Sequence, residues 1–353
     1  MLSNTDVAEL LARQAERESG ILSRAFRRAA RSAFLWPEEV TAVAAQNRSL
    51  TELRAIGPFI ERQIQRWIDK HARLRQTVPA IRKDFISLAE ARQLLTRKKA
   101  WATSLRADLQ MHSRWSDGSG TIADMANAAT ERLYEYIAIT DHSKGLKIAG
   151  GIDERALQRQ GAEIAKLNMS LQKSGKNLVI LRSIEMNLNR SGEGDMSAES
   201  LSALDLVLGS FHSSLRITED QTERYVAALR NPHIQILGHP RGRIYNFRIG
   251  LRADWPRVFA EATKLDKALE VDCYPDRQDL NVALLKIARE HGTRISLGTD
   301  AHHPWQLEFI ELGLAAVLRA KLPPERIVNF MPVMDLKNWT QKVRDRNAAK
   351  RRI

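Results

Sequence analysis

From residue 105 onward the chain alternates between two patterns, and that alternation restricts its fold more than any other feature. Apolar runs of strand length stand at 105–111 (LRADLQM), 136–140 (YIAIT), 178–184 (LVILRSI), 204–211 (LDLVLGSF), 234–237 (IQIL), 268–273 (ALEVDC) and 294–299 (RISLGT). Helix-like stretches lie between most of them, among them TIADMANAATERL, DERALQRQGAEIAKLNMSLQ and NVALLKIAREHG. Seven strand–helix units specify a parallel β/α barrel or an open α/β sheet. In a barrel the chemistry belongs at the carboxyl ends of the strands.

Those ends carry a consistent set of residues. The first run ends in His112, with Asp117 in a turn closed by Gly118. The second ends in Asp141 and His142, the third in Glu185, the fourth in His212, the fifth in His239, and the seventh in Asp300, His302 and His303. With His303 set aside as spare, five of the nine histidines therefore stand at strand ends. A lone histidine after a strand is usually solvated or a cap, but independent placement would not put a His, Asp or Glu at six of seven ends. Imidazole and carboxylate without thiolate suit Zn²⁺, Mn²⁺ or Fe²⁺. The donors are too many for one ion, and two or three ions about 3.5–4 Å apart would use them. Hydrolysis of a phosphate ester is the chemistry such a cluster performs.

The ordered segments DLQMHSRWSDG, AITDHS, SIEMN, LGSFHSS, LGHPRGR, EVDCYPDRQDL and SLGTDAHHP resemble the PHP (polymerase and histidinol phosphatase) superfamily. They are most similar to the PHP domain at the C-terminus of bacterial family X DNA polymerases. The resemblance covers residues 105–336 and implies a distorted seven-stranded (β/α)7 barrel with a trinuclear site. Carried over by position, it implies Gln110, His112, Glu185 and Asp300 on the first ion. The second shares Glu185, as a bridge, and adds His212 and His239, while the third takes Asp117, His142 and His302. The resemblance gives hydrolysis to a metal-bridging hydroxide rather than to a protein nucleophile. Gln110 departs from the pattern, because its neutral amide oxygen stands where imidazole is expected; it is a weaker ligand or none, and the first site would then be looser or favour a harder ion such as Mn²⁺. Lys147, Arg243 and Arg277 match basic positions of the family that would hold substrate phosphate, for which a guanidinium offers a bidentate fork. Asp272 is expected to orient a ligand histidine from behind, and Cys273 to be a core residue.

Residues 1–75 read as a small all-α domain and 76–104 as a helical connector. The helix TDVAELLARQAERES has Thr5 or Asn4 as its expected N-cap. In ILSRAFRRAARSAF the residues Arg24, Arg27, Arg28 and Arg31 recur at a spacing that puts them on one face. LTELRAIGPFIERQI resembles the helix–hairpin–helix of the same polymerases, whose hairpin glycines let backbone N–H groups approach a DNA phosphate. Here Gly57 is retained, while Ala55 stands where the first glycine is expected and Pro58 has no N–H to give. The connector is too short for a polymerase core.

Charge sharpens this division. The net charge of +13 is +9 over residues 1–107, −2 over 108–336 and +6 over 337–353, the last read as a basic C-terminal tail. A near-neutral catalytic body with basic flanks suits a polyanionic partner. One cysteine excludes an internal disulfide framework, and no apolar run approaches the roughly 18 residues of a membrane span. A reducing cytoplasm and no membrane partner are the expectation. The leading expectation is a Mn²⁺- or Zn²⁺-dependent phosphoesterase on DNA 3′ ends, working beside a separate polymerase or repair protein. A small-molecule phosphatase of the histidinol-phosphate type uses the same ions, and a DNA-binding protein with a silent barrel is the non-catalytic alternative.

Overall fold

The computed structural model describes residues 2–70 and 77–350. The expected boundary at 75/76 and the final residues 351–353 lie outside the described residues. The N-terminal part holds α1 (Asn4–Arg17), α2 (Gly20–Ser32), α3 (Val40–Ala45) and α4 (Pro58–Asp69), with a 3-10 turn at Leu50–Glu52 where a short helix was expected. The cap of α1 is Ser3, not Asn4 or Thr5. Its hydroxyl accepts from Asp6 N while the Asp6 carboxylate accepts from Ser3 N, a reciprocal capping box. Val7, Leu11, Phe26, Phe34, Trp36, Ile60 and Ile64 make a small separate core. Two short helices follow, α5 (Leu88–Thr96) and α6 (Lys99–Ala102).

The helical part rests on the barrel. Tyr245 joins its core, edge-on to Phe34 at 4.8 Å and to Phe85 at 5.3 Å. Buried Arg82 ties Glu9 (2.8 Å) and Glu16 (2.5 Å) of α1 to Asn246 (3.1 Å). Two carboxylates and an amide around one guanidinium satisfy a charge that would otherwise be costly to bury.

The barrel is built from eight short parallel strands. The first sheet is β1 (Ala107–Asp108), β2 (Tyr136–Ile139) and β3 (Val179–Arg182), paired in that order. The second is β4 (Glu185–Asn187), β5 (Leu208–Ser210), β6 (Ile236–Leu237), β7 (Ala268–Asp272) and β8 (Arg294–Gly298). β3 and β4 come from the third apolar run and the residues just after it, split at Ser183–Ile184, which is why seven runs yield eight strands. Two isolated bridges join the sheets into a distorted barrel: His142 to Glu185, and Met111 to Ala301. At the second seam His112 N donates to Ala301 O (2.8 Å), and the Asp108 carboxylate accepts from Thr299 N (3.1 Å) and Oγ1 (2.5 Å).

Helices α7 (Ile122–Glu131), α8 (Glu154–Lys173), α9 (Ala198–Ser202), α10 (Thr222–Arg230), α11 (Trp255–Leu265), α12 (Val282–Glu290) and α13 (Ile310–Arg319) make the outer layer. Thr121, Asp153, Ser197, Asp254 and Asn281 cap five of them by accepting a backbone N–H of the first turn. Cys273 is buried between β7 and α13, where Gly313 leaves room for its sulfur. α14 (Val333–Lys350) closes the amino-terminal end of the barrel. The segment expected as a tail thus continues a helix: Trp339 and Val343 are buried, and Trp339 Nε1 donates to Asp266 O just before β7 (2.8 Å). With that end plugged, the opposite end is where the barrel opens. Among the described residues no helix is long and apolar enough to cross a membrane.

Candidate metal centre

Parallel strands send all their carboxyl ends to one side, so the residues after β1, β2, β3, β5, β6 and β8 converge. Glu185 is the hub, fully buried, with its carboxylate facing four imidazoles. His239 Nε2 lies 2.6 Å from Oε1 and His212 Nε2 3.2 Å from it; His142 Nδ1 lies 3.0 Å from Oε2 and His112 Nε2 3.5 Å from it. His112 Nε2 also meets Asp300 Oδ1 at 2.9 Å. On the outer side Asp117 Oδ1 faces His302 Nε2 (3.3 Å) and His142 Nε2 (3.6 Å). Three overlapping groups have donor atoms close enough for one ion each: His112–Asp117–His142–His302, His142–Glu185–His212, and His112–Glu185–Asp300.

The surrounding chain holds these groups in ligand form. His302 Nδ1 donates to Asp300 O (2.7 Å), and His212 Nδ1 donates to Asn187 Oδ1 (3.1 Å). Each leaves an Nε2 lone pair turned toward a carboxylate, an arrangement that suits a cation between them. Glu185 Oε2, His142 Nδ1 and His212 Nε2 are buried without a hydrogen bond. Buried polar atoms are rarely left so, and a divalent ion would satisfy all three. The donor set therefore fits a divalent metal centre. Asp300 sits at φ +52, a left-handed backbone that lets its carbonyl meet His302 while its carboxylate reaches His112. Gly118 is required by a close approach, since a Cβ there would lie 2.5 Å from His112 O. Buried Asp141 pins the same turn by accepting from Ser113 N (2.8 Å) and Oγ (2.6 Å), Ser116 Oγ (2.5 Å) and Gln160 Nε2 (2.7 Å).

Titration follows the same field. Burial works against charge on His239, but Glu185 outweighs it and carries the imidazole up to about 10. His302 is likewise raised to about 9, against burial, by Asp117 and Asp300. His112 is lowered, first by burial and then by the neighbouring His142 and His302. The Glu185 carboxyl stays well below its ordinary range despite burial, because His142, His212 and His239 surround it. A site whose carboxylates stabilise positive charge on His142, His239 and His302 is a site that attracts a dication.

Gln110 reaches the same strand end but turns aside. Its amide donates to the buried Glu270 carboxyl, 2.5 and 2.8 Å from the two oxygens, in the orientation that satisfies both groups. Gly298 makes room for the pair, as a Cβ there would lie 2.3 Å from Glu270 Oε1 and 2.6 Å from Gln110 Cβ. Glu270 was not singled out in the sequence. Its signal was the alternation in ALEVDC, which puts Glu270 and Asp272 on one face of β7. Asn187, two residues after Glu185, was missed in the same way.

The expected phosphate contacts divide. Arg277 enters the centre, paired with Asp300 and 3.4 Å from Asp272 Oδ2; burial opposes its charge, but these carboxylates hold it protonated. Asp272 therefore orients Arg277 and accepts from Tyr274 N (2.7 Å), rather than orienting a histidine. Arg243 does not face the centre. Its buried guanidinium lies 3.8 Å from the Phe85 ring centroid and donates to Arg277 O (2.7 Å) and Asp84 O (2.9 Å), so it braces the connector against the barrel. Lys147 is exposed on the loop after β2. Arg24, Arg27, Arg28 and Arg31 are all exposed on α2, and Arg31 is near enough to Asp276, in the loop after β7, to act on its carboxyl. Gly57 caps α4 at an ordinary φ of −100 with open space where a Cβ would be, so the fold itself does not require glycine there.

No family model matches the chain. It is 34% identical over 239 residues to the DNA polymerase/3′-5′ exonuclease PolX of Bacillus subtilis; the match covers 67% of this chain and 41% of that protein. The chain thus spans about two-fifths of that relative's length. A probable phosphatase of Caldicellulosiruptor bescii is 25% identical over 217 residues (59% of this chain, 84% of that one), and the probable phosphatase YcdX of Shigella dysenteriae 25% over 234 (64% and 90%). The histidinol phosphate phosphatase of Lactococcus lactis, solved with zinc, L-histidinol and phosphate, superposes with a TM-score of 0.44 at 18% identity over 62% of this chain and 94% of that one, too loosely to bear weight. With its ordered donor set at the strand ends, the barrel part of this chain is homologous to metal-dependent hydrolases of the PHP superfamily.

Proposed function

We propose that this protein is a metal-dependent phosphoesterase that shortens or cleans DNA 3′ ends. The observation that carries the reading is one of placement: the basic helical part rests on the loops around the same barrel mouth that holds the metal donors. Arg54 lies over Trp305, three residues past His302, and Arg31 lies near Asp276. A small phosphomonoester needs no such arm, whereas a phosphate backbone does.

In this reading His112, Glu185 and Asp300 hold one ion, Glu185 with His212 and His239 a second, and Asp117, His142 and His302 a third, Gln110 serving Glu270 instead. Divalent ions there supply the Lewis acidity that activates water and polarises a phosphoryl oxygen. Arg277, a third exposed, offers a guanidinium to a phosphate oxygen from its seat beside Asp300. Asn187 and the Asp300 carbonyl keep His212 and His302 in the tautomer that faces inward. The exposed arginine face of α2 and the open space at Gly57 support backbone contact away from the reacting phosphate. Glu61 works against it at the hairpin, since its carboxylate sits by the start of α4, accepting from Leu50 N (2.7 Å).

The test is a gel assay with Mn²⁺ and 5′-labelled single-stranded and nicked duplex DNA. A ladder shortening from the 3′ end, absent with His212→Ala, is the expected result. Intact DNA from metal-loaded protein, with turnover of a small phosphomonoester, would replace this reading with a phosphatase.

A further inference from the structure

Among the described residues three aromatic rings are strongly exposed: Phe59 (49%), Phe247 (57%) and Trp305 (39%). Phe59 lies at the hairpin, Phe247 on the loop after β6 and Trp305 on the loop after β8. The last two loops leave strands whose ends carry His239, Asp300 and His302, so both rings stand on the rim of the metal centre. A ring open to water on a catalytic rim loses the stabilisation that burial would give it.

Trp305 is packed on one side, Phe247 is carried on a braced turn, and a cation caps each ring. Trp305 N donates to His303 Nδ1 (3.3 Å), its ring meets Phe309 edge-on at 5.2 Å, and the Arg54 guanidinium lies 5.1 Å from its centroid. Phe247 is carried on a turn braced by Ile244 N to Arg248 O (2.8 Å) and by Asn246 N to Ile81 O (3.2 Å), and the Arg216 guanidinium lies 4.7 Å from its centroid. Arg54 comes from the helical part and Arg216 from the loop after His212. Each rim position thus pairs a flat π face with a guanidinium. That pairing matches a nucleotide, whose base stacks while its phosphate meets the arginine.

We propose that Trp305 with Arg54, and Phe247 with Arg216, are two stacking subsites for unpaired bases of a single-stranded DNA end whose phosphate reaches the metal centre. The inference rests on the nucleic-acid reading above and deepens it. It assigns the enzyme an unpaired 3′ end rather than a closed duplex, because a base within a duplex has its faces covered. It also gives recognition without sequence preference, since every base has a π face.

The test is binding of a short 5′-labelled single strand, made resistant to hydrolysis by phosphorothioate linkages at its 3′ end, to Mn²⁺-loaded protein, read by fluorescence anisotropy at low salt. Trp305→Ala and Phe247→Ala should each weaken binding roughly ten- to hundred-fold, while Trp305→Phe and Phe247→Tyr should stay close to the parent. An oligonucleotide abasic at its last positions should lose a comparable factor with the parent protein and much less with Trp305→Ala. Thermal melting of each variant shows that it is folded. Parent protein that binds and shortens DNA, yet is indifferent to the alanine variants and to abasic sites, would overturn the subsites and leave the nuclease reading standing. Parent protein that neither binds nor shortens any strand would sink both.

Discussion

Replacing Gln110 with histidine tests how this chain differs from the pattern it resembles. In the native protein the Gln110 amide donates to Glu270, 2.5 and 2.8 Å from its oxygens, and His239 N donates to the same buried carboxyl at 2.7 Å. Removing the amide leaves a fully buried acid short of a partner, which costs about 1–3 kcal/mol. For a chain of this size that is a fall in apo-protein melting temperature of roughly 1–4 °C. The new imidazole would stand beside His112 and Asp300, which are 2.9 Å apart, and would supply the fourth donor to a set that otherwise ends with Glu185. A tenfold gain in affinity for that ion returns about 1.4 kcal/mol when the ion is present in excess.

The variant is therefore expected to melt lower than the parent in chelator and to recover more than the parent when Mn²⁺ or Zn²⁺ is added. It should also retain one more ion per chain after dialysis, by elemental analysis. An unchanged apo melting temperature together with unchanged metal content would refute the reasoning, because it would mean that position 110 supports neither Glu270 nor an ion. A lower apo melting temperature with unchanged metal content would keep the Glu270 pairing and deny the position access to the metal.

Glu185→Gln should release metal more readily than any single histidine variant, because Glu185 faces four imidazoles within 3.5 Å; a fall in affinity below about tenfold, less than even a residue hydrogen-bonded behind a ligand is worth, would contradict its place as the hub. Replacing Arg24, Arg27, Arg28 and Arg31 with alanine should flatten the salt dependence of single-strand binding by about 0.7 in log–log slope for each phosphate no longer neutralised, and an unchanged slope would take α2 out of the interface. Burial raises the Asp108 carboxyl to about 7, against bonds from Thr299 and Gln110 that favour its charge. The folded state then binds the proton more tightly than the unfolded state, so this group's contribution is full at low pH and is lost as pH rises from about 4 to about 7. The melting temperature of the parent relative to Asp108→Asn should fall across that window, and a flat or rising difference would reject the shift.

The sequence revealed some levels of this structure and not others, for physical reasons. Strand ends were legible because a strand that runs out into His, Asp or Glu changes composition within two residues, and parallel topology then brings all such ends together. The convergence of His112, His142, Glu185, His212 and Asp300 follows from that alone. The split of the third run into β3 and β4 was not legible, because LVILRSIEMN has no break in its apolar pattern and the change of sheet at Ser183–Ile184 depends on barrel curvature. Trp339 and Val343 were missed because KNWTQKVRDR is dominated by charge, and a few buried residues on one face carry little weight in its composition.

Gln110, Arg243 and Asp272 show a sharper limit. Gln110 and Arg243 were given roles by their positions in the family pattern and Asp272 by its place at a strand end, and each role depends on which group lies across the barrel. Gln110 meets Glu270, 160 residues away, Arg243 meets Asp84, 159 residues away, and Asp272 meets Arg277, close in sequence but brought round by a turn. A polar side chain at a crowded strand end takes the partner that best satisfies its donors, and sequence order does not say which partner that is. The metal donors escape this ambiguity because a dication accepts any of them, so many alternative pairings lead to the same centre. That asymmetry is why the convergence of these donors could be read from sequence with its supporting hydrogen bonds unknown, and why the position most worth changing is Gln110, where the two kinds of pairing compete.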